Sequence, residues 1–340
     1  MVNIFNNKVV FISGGTGSFG KAFTQYLLKN YKPKKIIVYS RDEQKQFKLQ
    51  NDTLYKKNEN IIRFFLGDIR DYSRLKLALD NEVDYVIHAA ALKHVPLSEY
   101  NPFETIKTNI LGSENLIRAC LRLKVPNIIA LSTDKASSPI NLYGASKLAA
   151  DKLFIAANLY SKKNSSKFSV VRYGNVMGSR GSVIPYLLSN KDANYINVTD
   201  ERMTRFNITL DKSVKFVSNC FKIMVGGEMF VPKLPSYNIL DLVKAVSPKS
   251  KIKIIGIRPG EKIHEQMISS SDSLNTVEFK DKYVILPNSN YHNKSISYYK
   301  KLISEKKCKK VKFGFSYKSD KNENFLKLQE IRTLIKNNIN

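Results

Sequence analysis

Short, almost continuous apolar runs recur along the first half of the chain, each followed by a polar or glycine-rich segment. A run that is apolar at nearly every position is typical of a parallel strand buried on both faces of a sheet. The runs lie at residues 8–13, 35–40, 61–68, 84–91, 126–133 and 168–176. We therefore expect a parallel sheet in this part of the chain.

Apolar side chains recur with helical spacing between these runs. After the first run they share one helix face at Phe19, Ala22, Phe23, Tyr26 and Leu27. Longer helical patterns cover residues 103–123 and 143–160. Strands that alternate with helices predict an α/β fold over residues 1–178, a doubly wound parallel sheet of the Rossmann type.

The regular alternation fades beyond residue 178. Shorter helical and strand patterns follow at residues 211–224, 228–232 and 251–257. These patterns predict a smaller lobe over residues 179–285, which we expect to serve mainly for substrate binding. Later segments of the chain can still return to the first sheet. Residues 286–340 are expected to form a basic tail to which no role is assigned.

The net charge of the 340 residues is +27, a balance that can indicate nucleic acid, an anionic membrane or an acidic substrate. Lysine is spread along the whole chain, and only residues 300–313 concentrate it, so a solvated basic surface is favoured. No apolar stretch approaches the roughly 18 residues of a membrane span. No secretory signal is recognisable, and the three cysteines are scattered. We expect a cytoplasmic protein without a membrane span.

The segment "SGGTGSFG" at residues 13–20 follows the first predicted strand and opens the first helix. It satisfies G-x-G-x-x-G at Gly15, Gly17 and Gly20, and a second glycine pattern begins at Gly14. Such glycines allow a tight turn and close approach of the backbone to a pyrophosphate, which the helix N-terminus attracts. Between a strand and a helix, the motif predicts dinucleotide binding.

The end of the second strand bears on the choice between NADP and NAD. A ribose 2′-phosphate favours an arginine and a hydroxyl donor there, whereas a free 2′-hydroxyl favours a carboxylate. Ser40, Arg41 and Lys45 favour NADP, and Asp42 is the counter-argument for NAD. Asp68, after the third strand, can accept from the adenine amino group or simply cap a turn.

Residues 131–147, "LSTDKASSPINLYGASK", contain two chemically different pairs. Tyr143 and Lys147 lie one helical turn apart, and a lysine can favour the phenolate of a tyrosine that accepts a hydroxyl proton. Asp134 and Lys135 form a second acid and base, which by themselves could equally be a loop ion pair. A simple alcohol dehydrogenase needs only the first pair.

These motifs resemble the extended short-chain dehydrogenase/reductases. More narrowly, they resemble the soluble, configuration-inverting UDP-N-acetylglucosamine 4,6-dehydratases that begin pseudaminic acid synthesis. The resemblance runs from about residue 8 to residue 268 and is carried by the following segments: "GGTGSFGKAF", "VYSRDEQKQ", "HAAALKHVPLSEYNPFE", "STDKASSPINLYGASK", "VVRYGNVMGSRGSVIP", "RMTRFNITLD" and "GIRPGEKIHE". It is weaker after about residue 270.

The resemblance implies an NADP-dependent elimination of water. Tyr143, with Lys147, would accept the C4 hydroxyl proton while a hydride leaves C4, and Thr133 would bond the C4 oxygen. Lys135 would remove the C5 proton, and Asp134 would protonate the departing C6 hydroxyl. Hydride would then return to C6, giving UDP-2-acetamido-2,6-dideoxy-β-L-arabino-hex-4-ulose. Inversion at C5 follows from the resemblance, since the retaining dehydratases carry Met at the position of Tyr143.

The resemblance also implies the binding residues. Cofactor contacts are expected at Gly14, Thr16, Gly17, Ser18, Phe19, Gly20, Ser40, Arg41, Lys45, Asp68, Ile69, Ala89, Lys93, Tyr143 and Lys147. Substrate contacts are expected at Lys93, Leu131, Ser132, Asn175, Val183, Thr199, Arg205, Arg258 and Glu261. Arg258 is the best diphosphate ligand among them, because a guanidinium can bind two oxygens at once. A homo-oligomer, with a hexamer as one form, is expected from the family.

Two other functions remain open. A UDP-sugar 4-epimerase shares the fold, the tyrosine and the lysine but does not require the Asp134–Lys135 pair. A non-catalytic NADP-sensing or nucleic-acid-binding protein is prompted by the charge, and the intact catalytic residues argue against it. No metal is expected, because His94 and His264 lack partners at metal-ligand spacing.

Overall fold

Every strand predicted from the apolar runs is present in the computed structural model, which describes residues 3–161, 165–179, 182–287 and 293–338. These strands are β1 (Val9–Ser13), β2 (Lys35–Ser40), β3 (Ile62–Leu66), β4 (Tyr85–His88), β5 (Asn127–Thr133) and β6 (Lys167–Tyr173). They are parallel and lie in the order β3-β2-β1-β4-β5-β6. The predicted doubly wound sheet is confirmed, and its strand order reverses between β1 and β4, where such folds bind ligands.

Later strands extend this sheet and also form small sheets beside it. They are β7 (Asn175–Val176), β8 (Tyr195–Val198), β9 (Thr204–Ile208), β10 (Met229–Pro232), β11 (Ser236–Asn238), β12 (Lys251–Ile254), β13 (Gln266–Ile268), β14 (Thr276–Glu278), β15 (Lys282–Ile285), β16 (Lys309–Lys310) and β17 (Tyr317–Lys318). Beyond β6 the large sheet continues as β10-β15-β14-β16, with β10 parallel to β6 and β15 antiparallel to β10. The small sheets are β11-β9-β7, β12-β8 and β13-β17. Residues 180 and 181, inside the motif at 170–185, lie outside the described residues.

Several helices begin where a short polar side chain accepts from a free backbone N–H group. Asp42, Asp71, Asn141 and Thr209 each cap a helix in this way. The helices are α1 (Ser18–Asn30), α2 (Glu43–Gln50), α3 (Thr53–Lys56), α4 (Tyr72–Leu79), α5 (Val95–Tyr100), α6 (Pro102–Ile106), α7 (Gly112–Arg122), α8 (Leu142–Ala156), α9 (Val183–Ser189), α10 (Leu210–Ile223), α11 (Ile239–Val246), α12 (Asn293–Ser304) and α13 (Leu328–Asn338). Within the described ranges, none is long and apolar enough to cross a bilayer.

Tight turns of helix complete the chain between these elements. A π-helical turn (Lys107–Leu111) joins α6 to α7, and 3₁₀ turns cover Asp134–Ala136, Ala157–Tyr160 and Ser271–Asn275. The Asp134–Ala136 turn directly follows β5, so it sits at the edge of the sheet where the strands end. That edge carries the candidate site.

Hydrophobic side chains form a large core around the sheet and a smaller one beside it. In the large core Phe11, Ile87 and Ile129 are fully buried, since both faces of the sheet are covered. The smaller core includes Leu242 and Ile331, which places α13 against α11. Part of the predicted basic tail is therefore packed into the fold: α13 enters this core, β16 lengthens the large sheet, and β17 pairs with β13.

Candidate active site

The glycine loop between β1 and α1 leaves no space for side chains. Gly14 has φ +67°, and a Cβ there would lie 2.8 Å from the backbone nitrogen of Ala90. A Cβ on Gly20 would lie 2.5 Å from the Cα of Gly15. The first turn of α1 can therefore approach the loop closely and present its unpaired N–H groups, which is the arrangement that a dinucleotide pyrophosphate needs.

Asp42 is committed to helix α2, although its position after β2 made it a candidate ribose ligand. Its carboxylate accepts from the backbone N–H of Lys45 at 2.9 Å and pairs with the ammonium of the same lysine. Ser40 bonds Thr16 of the glycine loop at 2.8 Å between hydroxyl oxygens. The guanidinium of Arg41 is half-exposed beside this loop.

Asp68 is held by arginines at the end of β3. Its carboxylate lies 2.7 Å from Arg70 and 3.5 Å from Arg41. Burial tends to raise the pKa of Asp68, but the hydrogen bonds and charge of Arg70, with the charge of Arg41, hold it below its usual value. The ionised form of this carboxylate is thus favoured at the end of β3. Neighbouring Ile69 is buried and packs against Gly112.

A first cavity of about 530 Å³ opens at the ends of the central strands. It brings together most of the predicted cofactor and catalytic residues: Gly14, Gly17, Ser18, Phe19, Gly20, Lys45, Ala89, Lys93, Leu131, Ser132, Thr133, Asp134, Lys135, Tyr143, Lys147 and Asn175. Thr16, Ser40, Arg41, Asp68 and Ile69 lie outside its lining, around the glycine loop and the ends of β2 and β3.

A second cavity of about 460 Å³ adjoins the first. It is lined by the remaining predicted substrate residues Val183, Thr199, Arg205, Arg258 and Glu261. Lys135, Asn175 and Ser182 line both cavities. The Asp134–Ala136 turn after β5 therefore stands at the junction of the two cavities.

Helix α8 carries Tyr143 and Lys147 on successive turns facing the first cavity. Asn141 caps it by accepting from Gly144 N–H at 2.8 Å. A Cβ at Gly144 would overlap the carbonyl of Lys135. The glycine in "YGASK" thus lets α8 pack directly on the Asp134–Ala136 turn, which brings the two predicted residue pairs into one site.

Burial and charge act in opposite directions on Tyr143. Burial raises the pKa of Tyr143 to about 12, while the charge of Lys135 and a hydrogen bond with Thr133 act to lower it. Burial lowers the pKa of Lys147, which the carboxylate of Asp151 opposes. The charge of Lys135 thus favours the Tyr143 phenolate, an effect that the sequence spacing had predicted for Lys147.

Lys135 lies between two buried carboxylates. Its ammonium is 3.1 Å from Asp134 and 3.0 Å from Glu265. Burial raises the pKa of Asp134 above the usual range for an aspartate, outweighing the Lys135 charge. For Lys135, burial alone would lower the pKa, but the charges of Asp134 and Glu265 raise it above its usual value. The lysine is an ammonium in the free protein, and Asp134 tends to retain a proton.

Four polar atoms at the cavity junction have no hydrogen-bond partner among the described residues. They are Asp134 Oδ2, Asn175 Oδ1, Ser182 Oγ and Glu265 Oε2. A buried polar atom is normally paired, so this cluster indicates a place for the polar groups of a ligand. Asp134 and Asn175 were predicted as site residues, whereas sequence reasoning missed Ser182 and Glu265.

The two predicted arginines of the second cavity differ in burial and in hydrogen bonding. Arg205 is buried, and its guanidinium donates to the carbonyls of Thr204 (2.8 Å), Ile263 (2.8 Å) and Lys262 (3.0 Å). Arg258 is exposed at the cavity rim. Arg205 is therefore held in the cavity wall, whereas Arg258 is exposed to solvent.

Histidine does not form a metal centre in the described ranges, where no group of three or more His, Cys, Asp or Glu side chains could hold a metal ion. His94 lines the first cavity. His264 bonds the hydroxyl of Thr204 at 2.9 Å through Nδ1.

Comparison with known proteins identifies the family. Residues 10–287 match the family described as polysaccharide biosynthesis protein. The chain is 52% identical to a Campylobacter jejuni protein named UDP-N-acetylglucosamine 4,6-dehydratase (inverting), covering 98% of each chain. It is 40% identical to a Rickettsia bellii protein named UDP-glucose 4-epimerase, covering 98% of this chain and 97% of that one. The X-ray structure of Pen from Bacillus thuringiensis matches with a TM-score of 0.86 at 37% identity, covering 98% of this chain and 99% of that one.

These matches extend over nearly the whole chain, so they include the glycine loop, the Asp134–Lys135 turn and the second cavity together. The identity is higher to the dehydratase than to the epimerase. The matches confirm the resemblance that was inferred from the sequence motifs. This chain belongs to the polysaccharide biosynthesis protein family, among the extended short-chain dehydrogenase/reductases that include the inverting UDP-N-acetylglucosamine 4,6-dehydratases.

Proposed function

We propose that this protein is a UDP-N-acetylglucosamine 4,6-dehydratase that inverts C5 and uses NADP. The observation that carries the proposal is the acid–base turn at the cavity junction. Asp134 and Lys135 lie beside Tyr143, and Asp134 Oδ2 is buried without a partner among the described residues. An elimination needs this second acid and base in addition to the tyrosine that serves the redox step.

The glycine loop supports a nicotinamide dinucleotide as the cofactor, because Gly14 and Gly20 form a cradle that a Cβ would fill. Bound there, the nicotinamide would accept a hydride from sugar C4 and later return it to C6. The half-exposed Arg41, with Ser40, supports NADP over NAD. Asp42 is engaged in capping α2, which weakens its case as an acceptor from a ribose hydroxyl.

Tyr143 is the base for the C4 hydroxyl in this proposal. Its pKa of about 12 means that the phenol keeps its proton in the free protein at neutral pH. Tyr143 must therefore release this proton before it acts as the base, and the charge of Lys135 and the hydroxyl of Thr133 both favour the phenolate that results. Lys147, one turn along α8, contacts the nicotinamide ribose.

Asp134 and Lys135 carry out the loss of water. The C4 ketone acidifies the C5 proton; Lys135 takes that proton, and Asp134 protonates the C6 hydroxyl as it leaves. The raised pKa of Asp134 keeps the required proton available. Lys135 begins as an ammonium, so it must release a proton before it acts as the C5 base. Reprotonation of C5 from the other face gives the inverted product.

Sugar-nucleotide binding is assigned mainly to residues 179–285, and NADP to residues 1–178. The lining of the second cavity by Val183, Thr199, Arg205, Arg258 and Glu261 supports this division. Arg258 binds the diphosphate, and Asn175, at the junction of the cavities, binds the sugar. Lys93, Leu131 and Ser132 line the first cavity beside the reacting carbons.

A UDP-sugar 4-epimerase is the second candidate, because relatives with 40% identity carry that name. An epimerase uses Tyr143 and Lys147 but has no leaving hydroxyl to protonate. The partly satisfied Asp134 carboxyl next to Lys135 therefore favours the dehydratase. A 4-epimerase also makes no C5–hydrogen exchange with solvent.

Incubation with UDP-N-acetylglucosamine in deuterated water, followed by NMR, tests the proposal. We expect a new C6 methyl group, deuterium at C5, and the couplings of UDP-2-acetamido-2,6-dideoxy-β-L-arabino-hex-4-ulose. A product that is only the C4 epimer would overturn the proposal. The Lys135→Ala variant should lose turnover while it still binds UDP, and Lys152→Ala, an exposed lysine of α8, is the matched control.

Assembly and compartment belong to the same proposal. Exposed apolar side chains at Leu97, Tyr100 and Phe103 support a homo-oligomer, which light scattering would show as a dimer, hexamer or other multiple. Cys120, Cys220 and Cys308 are buried thiols, which suits a reducing cytoplasm. The pathway assigned to the product is that of pseudaminic acid or a related sugar.

A further inference from the structure

Glu265 is a buried carboxylate that the proposed reaction does not use. It precedes β13, is 2% exposed, and places Oε1 3.0 Å from the ammonium of Lys135. Glu265 lines the second cavity, and its buried Oε2 has no hydrogen-bond partner in the described part of the chain. A buried carboxylate in contact with a catalytic lysine requires a reason, because its desolvation is costly.

The backbone of Glu265 is held on both sides. Its N–H donates to Ser319 Oγ at 2.9 Å, and the N–H of Ser319 donates to the Glu265 carbonyl at 2.9 Å. Two residues further, the carbonyl of Met267 accepts from the guanidinium of Arg172 at 3.0 Å. The carboxylate is thus presented to Lys135 from a fixed strand end.

The charges around Glu265 are not symmetrical. Arg205 approaches Glu265 Oε1 to 3.8 Å, whereas Asp134, on the other side of Lys135, has no arginine within salt-bridge distance among the described residues. Other titratable groups face the cluster from the elements packed against it: Tyr143 on α8, Arg172 on β6, Tyr237 on β11, and Glu261 and Lys262 in the loop before β13. Glu265 therefore has a second cation, Arg205, close by, and among the described residues Asp134 does not.

We propose that Glu265 is a positioning residue for the elimination, an inference that rests on the proposed function. Its carboxylate holds the Lys135 side chain beside Asp134 and serves as the counter-ion whenever Lys135 carries a proton, before its release and again after the C5 proton is taken. Asp134 is thereby left free to carry the proton that the departing hydroxyl needs. One buried cation is shared by two carboxylates with different tasks.

The proton equilibria agree with this division. Burial raises the pKa of Asp134, and the neighbouring charge of Glu265 adds to the increase. Burial would also raise the pKa of Glu265, but the charges of Lys135 and Arg205 hold it below its usual value. Environments that separate the pKa values of two nearby carboxyl groups commonly assign one as the acid.

An NMR titration of protein labelled with ¹³C at the aspartate carboxyls tests the inference without substrate. The Asp134 signal is the one that disappears in Asp134→Asn. In Glu265→Gln, loss of the negative charge should lower the Asp134 titration midpoint by about one pH unit. An unchanged midpoint would overturn the proposal, as would an Asp134 midpoint in the wild-type protein at or below that of an ordinary aspartate. The wild-type measurement decides even if the Gln variant does not fold.

Two further variants separate charge from packing. Glu228→Gln removes another buried carboxylate, whose partners Val225, Gly226 and Ser169 line neither cavity, and it should leave the Asp134 midpoint unchanged. Glu265→Asp keeps the charge and should stay near the wild-type midpoint. A fall in Glu265→Asp equal to that in Glu265→Gln would mean that packing is responsible, and the inference would fail.

Turnover distinguishes this inference from the proposed function. Removal of a negative charge lowers the pKa of every neighbouring group, so both limbs of the kcat–pH profile should move to lower pH in Glu265→Gln. If the role of Glu265 were merely structural, kcat would fall at every pH and the profile would not shift along the pH axis. If the wild-type protein does not dehydrate UDP-N-acetylglucosamine, the proposed function fails, and the carboxyl titration still tests the charge relationship by itself.

Discussion

Arg172 on β6 forms a buried ion pair with Asp151 on α8, with 3.1 Å between Nη2 and Oδ2. The hydroxyl of Ser132, on β5, donates to the same carboxylate oxygen at 2.7 Å. Asp151 lies one helical turn beyond Lys147, so the strand that ends in the catalytic turn and the helix that carries the tyrosine–lysine pair meet at this carboxylate. The ion pair sets how α8 sits against the sheet.

Asp151→Asn should be strongly destabilising. It leaves the Arg172 charge buried without its counter-ion, which costs about 3–5 kcal/mol in the free energy of unfolding. Urea denaturation measures this loss. The exposed pair of Glu114 and Arg118, 3.8 Å apart, provides the control: Glu114→Gln should cost less than about 1 kcal/mol. Equal losses in the two variants would contradict the structural role of Asp151.

Gly14→Ala should weaken dinucleotide binding at least tenfold, measured by titration calorimetry. The new Cβ would meet the backbone of Ala89 and Ala90 and would force the positive φ on an alanine. Gly314 has φ +76° with no atom within 4 Å of an added Cβ. Gly314→Ala thus isolates the backbone strain, about 1–2 kcal/mol in thermal stability, and should leave the affinity unchanged. Wild-type affinity in Gly14→Ala would remove the loop from the cofactor site.

Arg41→Ala tests the choice of NADP. Loss of a charge-assisted contact to the 2′-phosphate, about 1.5–3 kcal/mol, should raise the Kd for NADP roughly 10- to 100-fold and leave that for NAD nearly constant. Arg63, whose guanidinium bonds the carbonyls of Glu59 and Ile62, is the control arginine. If wild-type protein prefers NAD, or if Arg41→Ala weakens both cofactors equally, the NADP assignment is wrong.

Stability should fall steeply above pH 10 because of buried tyrosines. Burial raises the pKa of Tyr143 and Tyr237 to about 12 each, whereas tyrosines of the unfolded chain ionise near about 10. Between these values the unfolded chain has released protons that the folded chain retains, so the free energy of unfolding decreases as pH rises.

The measurement is urea unfolding between pH 9 and the upper limit of folding. Tyr237 is 2% exposed, and its shift contributes up to about 3 kcal/mol to the decrease. Tyr237→Phe should therefore reduce the slope, and Tyr100→Phe, at an exposed ring, should not. A slope that is the same in Tyr237→Phe and wild type would show that this phenol is not responsible.

Local sequence patterns were sufficient for the order of elements in the first half of the chain. The apolar runs predicted β1 to β6, because a strand buried on both faces must be apolar at nearly every position. Gly14 and Gly20 marked the loop, since their conformations and close contacts exclude side chains. The spacing of Tyr143 and Lys147 put them on one face of α8. Each of these signals depends on residues close together in the sequence.

Contacts between distant segments could not be obtained in this way. Periodicity reports which face of an element is buried, not which element covers it, so the extension of the large sheet by β10, β15, β14 and β16 was left open. Asp42 was a candidate ribose ligand in the sequence, and only the structure shows that its carboxylate caps α2. Ion-pair partners could not be predicted from the sequence either, because Arg172 and Asp151 do not belong to a common motif.

The sequence by itself determined a doubly wound nucleotide-binding fold and the two residue pairs of a dehydratase. Only the tertiary structure decided how those pairs are charged. Folding brings Glu265, from a distant part of the chain, to within 3.0 Å of Lys135, and it places the charge of Lys135 where it favours the Tyr143 phenolate. The physical reason is that proton affinities depend on burial and on the nearest charges, and both are set by packing between segments far apart in the chain.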